Sequence, residues 1–345
     1  MIISALRQGV ARVNQSKRMI FFAWLVNVTL TLTVALPLLS QLDTYVKGTV
    51  LEERIVQRIE PNWFQTFQRD QETNPLARFF DYSMFGIAPF LNHYEAYLGG
   101  DFVKNVARFL MDLFFSFSVS TQYLNIISLL AFAYLLSSTF LAGGFVGIYA
   151  KTYRVTFPEF LIEGAKYFGR FFRLCLLSLI VYYLLFNFLF DWWTGSIPSW
   201  TAEEPTEMTP FIHYMIKNVV VILVLGLIAL CFDYAKIRMV VDDRVSALFA
   251  VGAAVKFVTG HFWSVSGLYV ILSLVGVVLV AVYGLVERQI SQTGYWTILF
   301  VFMFQQLYML SRFWLKASFY ASQTDLYQKL AIVDHRFDEP SLRAM

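Results

Sequence analysis

Six stretches of this chain stay apolar for about 20 residues or more: Met19–Ser40, Gln122–Tyr149, Phe171–Phe190, Ile212–Phe232, Phe262–Val286 and Tyr295–Trp314. Runs of that length match the hydrocarbon core of a bilayer, where no water is at hand to satisfy backbone polar groups. Each run must therefore bond its own backbone, and an unbroken run does so as a helix. The composition agrees. Hydrophobic residues make up 58% of the chain and charged ones 15%, against about 45–50% and 25% in soluble domains. The fold class that follows is an all-α polytopic membrane protein with about six transmembrane helices.

The stretch Phe140–Phe190 shows how the spans are joined. A span ends at Gly143-Gly144, a basic amphipathic segment follows, and a second span begins. The segment opens at Thr156-Phe157-Pro158-Glu159, where Thr156 and Glu159 have capping-box spacing and Pro158 needs no donor in a first helical turn. Phe157, Phe160, Leu161 and Phe168 recur at helical spacing, with Glu159, Glu163, Lys166 and Arg170 on the other side. That pattern predicts an elbow helix lying in the membrane interface with its aromatic face in lipid.

Charge placement gives an orientation. The connection 151–170 carries Lys151, Arg154, Lys166 and Arg170, and the connection 233–261 carries Lys236, Arg238, Arg244 and Lys256. Between them, 191–211 holds Asp191, Glu203, Glu204 and Glu207 with no Lys or Arg. Cytoplasmic connections are the basic ones, so both elbows, the basic N-terminus and the C-terminal tail are expected in the cytoplasm. Trp192, Trp193 and Trp200 read as an aromatic belt at the other face.

At the start of the chain, Arg7, Arg12, Lys17 and Arg18 appear without an acid, and Leu6, Val10 and Val13 share a face. This predicts a short basic interfacial helix ahead of the first span. Met19–Ser40 is too long for a signal-peptide core and lacks a small-x-small cleavage site after it, so it reads as an uncleaved span. Asn27, Thr29, Thr31 and Thr33 predict that one face of it packs on protein. Residues 1–40 thus form one unit. Residues 41–117 read as an extracytoplasmic cap with an interfacial aromatic part, 118–330 as the helical membrane domain and 331–345 as a cytoplasmic tail.

An internal repeat is visible. Tyr149-Ala150-Lys151 recurs as Tyr234-Ala235-Lys236, and Lys166-Tyr167-Phe168-Gly169-Arg170-Phe171 is echoed at Lys256–Phe262. The second elbow opens at Asp242-Asp243 and places Val245, Leu248, Phe249 and Gly252 on one face. Each unit holds two spans, so the two units, about 122–190 and 212–286, form parallel span–amphipathic elbow–span repeats. The chain ends read as a split third copy: elbow then span at the N-terminus, span then the amphipathic run Ser311–Leu330 at the C-terminus.

With these residues in view, the segment from about 120 to 330 resembles bacterial multi-spanning proteins similar to the membrane region attached to some glycerophosphodiester phosphodiesterases. Gly143-Gly144 and Lys166-Tyr167-Phe168 carry the resemblance. It implies a fold and a bacterial inner membrane. The phosphodiesterase barrel is absent from this sequence, so the resemblance carries no catalytic residue.

Chemistry is sparse. The sequence has no P-loop, dinucleotide glycine loop, nucleophile elbow or H-E-x-x-H, and His93, His213, His261 and His335 are scattered. His93 with Glu95 reads as a solvated pair, and His261 falls at the repeat position of Arg170. Cys175 and Cys231 lie inside apolar runs and read as small hydrophobes. No catalytic residue, metal site, cofactor or nucleic-acid partner is expected. Asp233, an acid at the end of a span, needs a partner. Arg312 is the candidate for that ion pair, with Lys236 and Arg238 as alternatives.

Two functional classes stand. One is a non-enzymatic scaffold, or a factor handling lipids or small apolar molecules. Its elbows (Phe157, Phe160, Leu161, Phe168, Val245, Leu248 and Phe249) would face lipid. Lys151, Arg154, Lys166, Arg170, Lys236 and Lys256 would bind anionic headgroups. Membrane lipids are then the expected partners, with a membrane protein or a second copy of the chain as a further partner class. The other class is a permease with a route between the repeats. No charge at the centre of a span supports it. A membrane-embedded enzyme needs a carboxylate or histidine constellation at one depth, which the spans do not offer.

Overall fold

The computed structural model describes residues 1–48, 126–203, 206–290 and 294–342, and all regular structure among them is helical. The bulk of the expected cap, including His93 and Glu95, lies outside the described residues. The helices are α1 (Ile2–Gln15), α2 (Lys17–Val46), α3 (Ile126–Tyr149), α4 (Phe157–Leu184), α5 (Asp191–Trp200), α6 (Met208–Val241), α7 (Ala247–Gly260), α8 (Phe262–Gln289) and α9 (Tyr295–Leu342). Six of these stretches are long and apolar enough to cross a membrane.

α3 and α4 pack together more extensively than any other pair. Lipid tails are as apolar as leucine, so burying apolar surface gives little drive for helices to associate in a bilayer. Close backbone approach through small residues supplies the contact energy instead. Here Gly143, Gly144 and Gly147 of α3 meet Phe160, Glu163, Gly164 and Tyr167 of α4. A Cβ on Gly144 would stand 2.6 Å from the Phe160 ring, and one on Gly147 would stand 2.7 Å from Glu163 Cβ. The Phe160 ring fills the space that the missing Cβ leaves. It is fully buried and meets Phe145 edge-on at 5.1 Å.

This pairing corrects the first elbow. Phe160 was expected to face lipid, yet it packs on α3, because the glycines there offer a groove that only a flat ring fills. Phe157, Leu161 and Phe168 are half-buried, and Ile162 is a large apolar residue that the elbow part of α4 turns outward. The elbow is also no separate helix. It runs unbroken into its span as α4, with the capping box at Thr156 and Glu159 in place (2.6 Å from Thr156 N to Glu159 Oε2). A π-helical turn, Leu185–Phe190, then links α4 to α5 and directs Phe186 and Phe190 onto Val221 and Leu225 of α6.

The second elbow is a helix of its own. α6 ends at Val241 with Asp242 after it, α7 starts after Ser246, and the chain breaks again at His261 before α8. Asp242 therefore closes α6 rather than opening the elbow, accepting hydrogen bonds from Arg238 and Tyr327. The α7 residues Ala250, Ala254, Phe257 and Val258 are buried, while Val245, Leu248 and Phe249 are 55%, 69% and 76% exposed.

The chain ends form the third pair. α1 lies along the C-terminal half of α9 through Ala5, Gly9 and Val13, with Gly9 directly against the Ser322 backbone. Of the expected face, Val13 is fully buried while Leu6 and Val10 are only half-covered, because close approach to α9 at Ala5 and Gly9 selects small side chains. α9 is one helix of 48 residues, continuing without a break from the last span through the expected elbow into the tail. Residues 317–327 are buried on every side, so the middle of the run Ser311–Leu330 is enclosed, while its two ends are partly exposed.

The three pairs close a ring. α3, α6 and α9 touch one another, α4 packs on α6, α8 on α9 and α2 on α3. The α2 contact uses part of the polar face foreseen for it: Asn27 is buried and Thr31 bonds Tyr134 of α3 at 2.6 Å, while Thr29 and Thr33 are exposed and bond carbonyls of their own helix.

Candidate functional site

One end of the ring collects most of the charge among the described residues. There the α1–α2 junction, the 150–156 turn, the α6–α7 turn and the C-terminal half of α9 come together. Arg12 Nη1 donates to the Tyr149 carbonyl at 2.7 Å, Tyr149 Oη and Ser16 Oγ are 2.8 Å apart, and Gln328 donates to the Ala150 carbonyl at 2.8 Å. Tyr327 donates to Asp242, which also takes Arg238 at 2.9 Å. Asp325, buried on α9, pairs with Lys329 at 2.6 Å and lies 4.0 Å from Arg12. Sequence reasoning did not single out Asp325, Tyr327 or Gln328. The i,i+4 spacing of Asp325 and Lys329 was the signal available.

The basic residues divide into three groups. Lys151 is bound to Glu163 at 2.8 Å, and this bond holds its ammonium pKa above the ordinary value. Arg170 pairs with Asp243 across to the α6–α7 turn, and the guanidinium holds that carboxyl below the usual range. Arg154, Lys166 and Lys256 are exposed, with Lys166 4.8 Å over the Tyr167 ring. Lys236 belongs to none of the surface groups. It was expected to bind headgroups, but its ammonium lies 2.8 Å from Asp233 and 5.6 Å over the Tyr320 ring. Three residues apart on one helix, Asp233 and Lys236 neutralise each other. Arg312, the expected partner of Asp233, instead sits 5.9 Å over the Tyr308 ring.

Two cavities adjoin this end. A basic one of about 230 Å³ is bordered by Arg12, Ser16, Met19, Tyr149, Lys151 and Arg154. An apolar one of about 290 Å³ lies between α2, α3 and α4, against Phe22, Val26, Leu136, Phe140, Leu141 and Phe168. At the far end, Trp192 and Trp200 are exposed and paired edge-on at 6.0 Å, and Lys217 of α6 reaches Thr194 of α5 at 3.1 Å.

Among the described residues, no three histidine, cysteine or acidic side chains gather as a metal site. His213 bonds the Thr209 carbonyl, and His261 rests on the Phe257 ring at 4.8 Å. Cys175 and Cys231 are free thiols, both half-buried.

The six apolar helices and the charged end define the class, a multi-pass all-α membrane protein. No protein-family model matches the chain, and neither a curated protein nor a solved structure matches it.

Proposed function

We propose that the chain is a non-enzymatic protein of a bacterial inner membrane that engages anionic lipid at its basic end, as a scaffold or in handling lipid or small apolar molecules. One observation carries the reading: Val245 of the α6–α7 turn and Leu248 and Phe249 of α7 face outward at the end of the ring where Arg154, Lys166 and Lys256 are also exposed. Apolar side chains beside cations suit the boundary between acyl chains and acidic headgroups. The excess of Lys and Arg at this end supports a cytoplasmic orientation of both termini. The ring of three span–elbow pairs supports a repeat of three units, the third divided between the chain ends.

Flotation with liposomes tests the reading. Wild-type protein in detergent should transfer to vesicles containing phosphatidylglycerol more readily than to neutral vesicles, less so as salt screens charge over about 8–10 Å. Replacing Leu248 and Phe249 with Glu should weaken retention of α7 at the interface, seen as faster hydrogen exchange there. Equal behaviour in acidic and neutral vesicles would reject the proposal.

A permease remains the second reading, favoured by the enclosed Asp233–Lys236 pair, since ionisable groups inside a bundle mark ion and substrate paths. A proton gradient that drives uptake in proteoliposomes, abolished by Asp233→Asn, would support it over the first.

A further inference from the structure

The two cavities are walled in part by the same two helices, α2 and α3. Met19 borders the basic one, and Phe22 and Val26 border the apolar one, all along one face of α2. On α3, Ile148 and Tyr149 border the first, and Phe140 and Leu141 the second. Eight residues separate Tyr149 from Leu141, a rise of about 12 Å. The apolar cavity thus lies about two turns further along α2 and α3 than the basic one, on the same helix faces.

The chemistry changes over the same distance. Arg12, Lys151 and Arg154 line the upper cavity, and among the described residues no acid does. Arg12 and Lys151 are held in place by the Tyr149 carbonyl and by Glu163, so they are already oriented before anything binds. Arg154 has no partner among the described residues and is exposed. Tyr149 and Ser16 add hydroxyls at the base. Below, the lining is aromatic and aliphatic. An anion at one level attached to a hydrocarbon chain about 12 Å deeper is the shape of a glycerophospholipid.

We infer that this pair of cavities is a binding site for a single anionic phospholipid, its phosphate held by Arg154, Lys151 and Arg12 and one acyl chain lying between Phe22, Phe140 and Phe168. The inference rests on the lipid-engaging reading above and narrows it from a diffuse basic surface to one site. A diffuse surface treats all exposed cations alike. A built site does not.

Native mass spectrometry and thermal unfolding of delipidated protein in detergent, titrated with phosphatidylglycerol, separate the two. Wild type should retain one lipid and unfold at higher temperature. Arg154→Glu should weaken that binding about tenfold or more, the effect of losing a charge-assisted bond, while Lys256→Glu on α7 leaves it within about twofold. Val26→Trp should weaken it comparably by filling the apolar cavity. Dihexanoyl phosphatidylglycerol provides the same test on wild-type protein and should bind far less tightly than the long-chain lipid. If Arg154→Glu and Lys256→Glu cost the same, the site is wrong and the diffuse surface stands. If short-chain lipid or inorganic phosphate binds as well as long-chain lipid, the apolar half is wrong. If phosphatidylcholine binds as tightly as phosphatidylglycerol, the anionic-lipid reading falls with the site.

Discussion

The Lys236 ammonium lies 2.8 Å from the Asp233 carboxylate, one turn apart on α6, and over the Tyr320 ring of α9. Asp233 is nearly buried, at 5% exposure. Breaking such a pair strands a charge in a poor dielectric, whereas removing both partners does not. Lys236→Met should therefore lower stability by about 3 kcal/mol, and Asp233→Asn combined with Lys236→Met should recover most of it. Chemical unfolding in detergent micelles would measure this. Equal loss in the single and double variants would mean that packing on Tyr320 matters more than charge.

Close packing of backbones makes a second prediction. Gly9→Ala places a Cβ 2.7 Å from Ser322 Cα, and backbone cannot rotate away. α1 should lift from α9, costing about 1–3 kcal/mol as overpacking does. Gly144→Ala should act similarly on the α3–α4 pair, since the atoms in its way belong to the buried Phe160 ring. Gly252 and Gly169 have open space around them, so alanine there should be tolerated. Thermal unfolding of all four variants provides the comparison.

The Arg170–Asp243 pair joins α4 to the α6–α7 turn, where Asp243 adopts a φ of 50°. Arg170 lowers the Asp243 pKa from its ordinary 3.8, so the folded state binds its proton less readily than the unfolded chain. The pair contributes in full above the unfolded value and loses its effect as pH falls through the folded one. Wild type should lose this small contribution below about pH 4, and Arg170→Gln should show a flatter acid profile. Identical profiles for the two proteins would remove the pair from the account.

Orientation can be read by labelling. Ser199 on α5 and Ser246 before α7 are both exposed and lie at opposite ends of the bundle. In intact cells, an impermeant thiol reagent should modify Ser199→Cys and spare Ser246→Cys. The reverse result would invert the assignment of the basic end to the cytoplasm.

The span count and the all-helical class follow from sequence alone, because a 20-residue apolar run has one workable backbone solution in lipid. The capping box at Thr156 and Glu159 was equally legible, since it depends on residues three apart. The partners of each face were not. Phe160 and Phe249 look alike in their elbows, yet Phe160 is fully buried and Phe249 is 76% exposed. The difference lies in α3, whose glycines open a groove under Phe160. Likewise, Lys236 and Lys256 both read as elbow cations, and Asp233 together with Tyr320 of the neighbouring α9 holds the first inward. A helix pattern states which residues share a side. Only the neighbouring helices decide whether that side meets lipid, water or protein, because in a membrane an apolar surface is equally at home against a lipid tail or another helix.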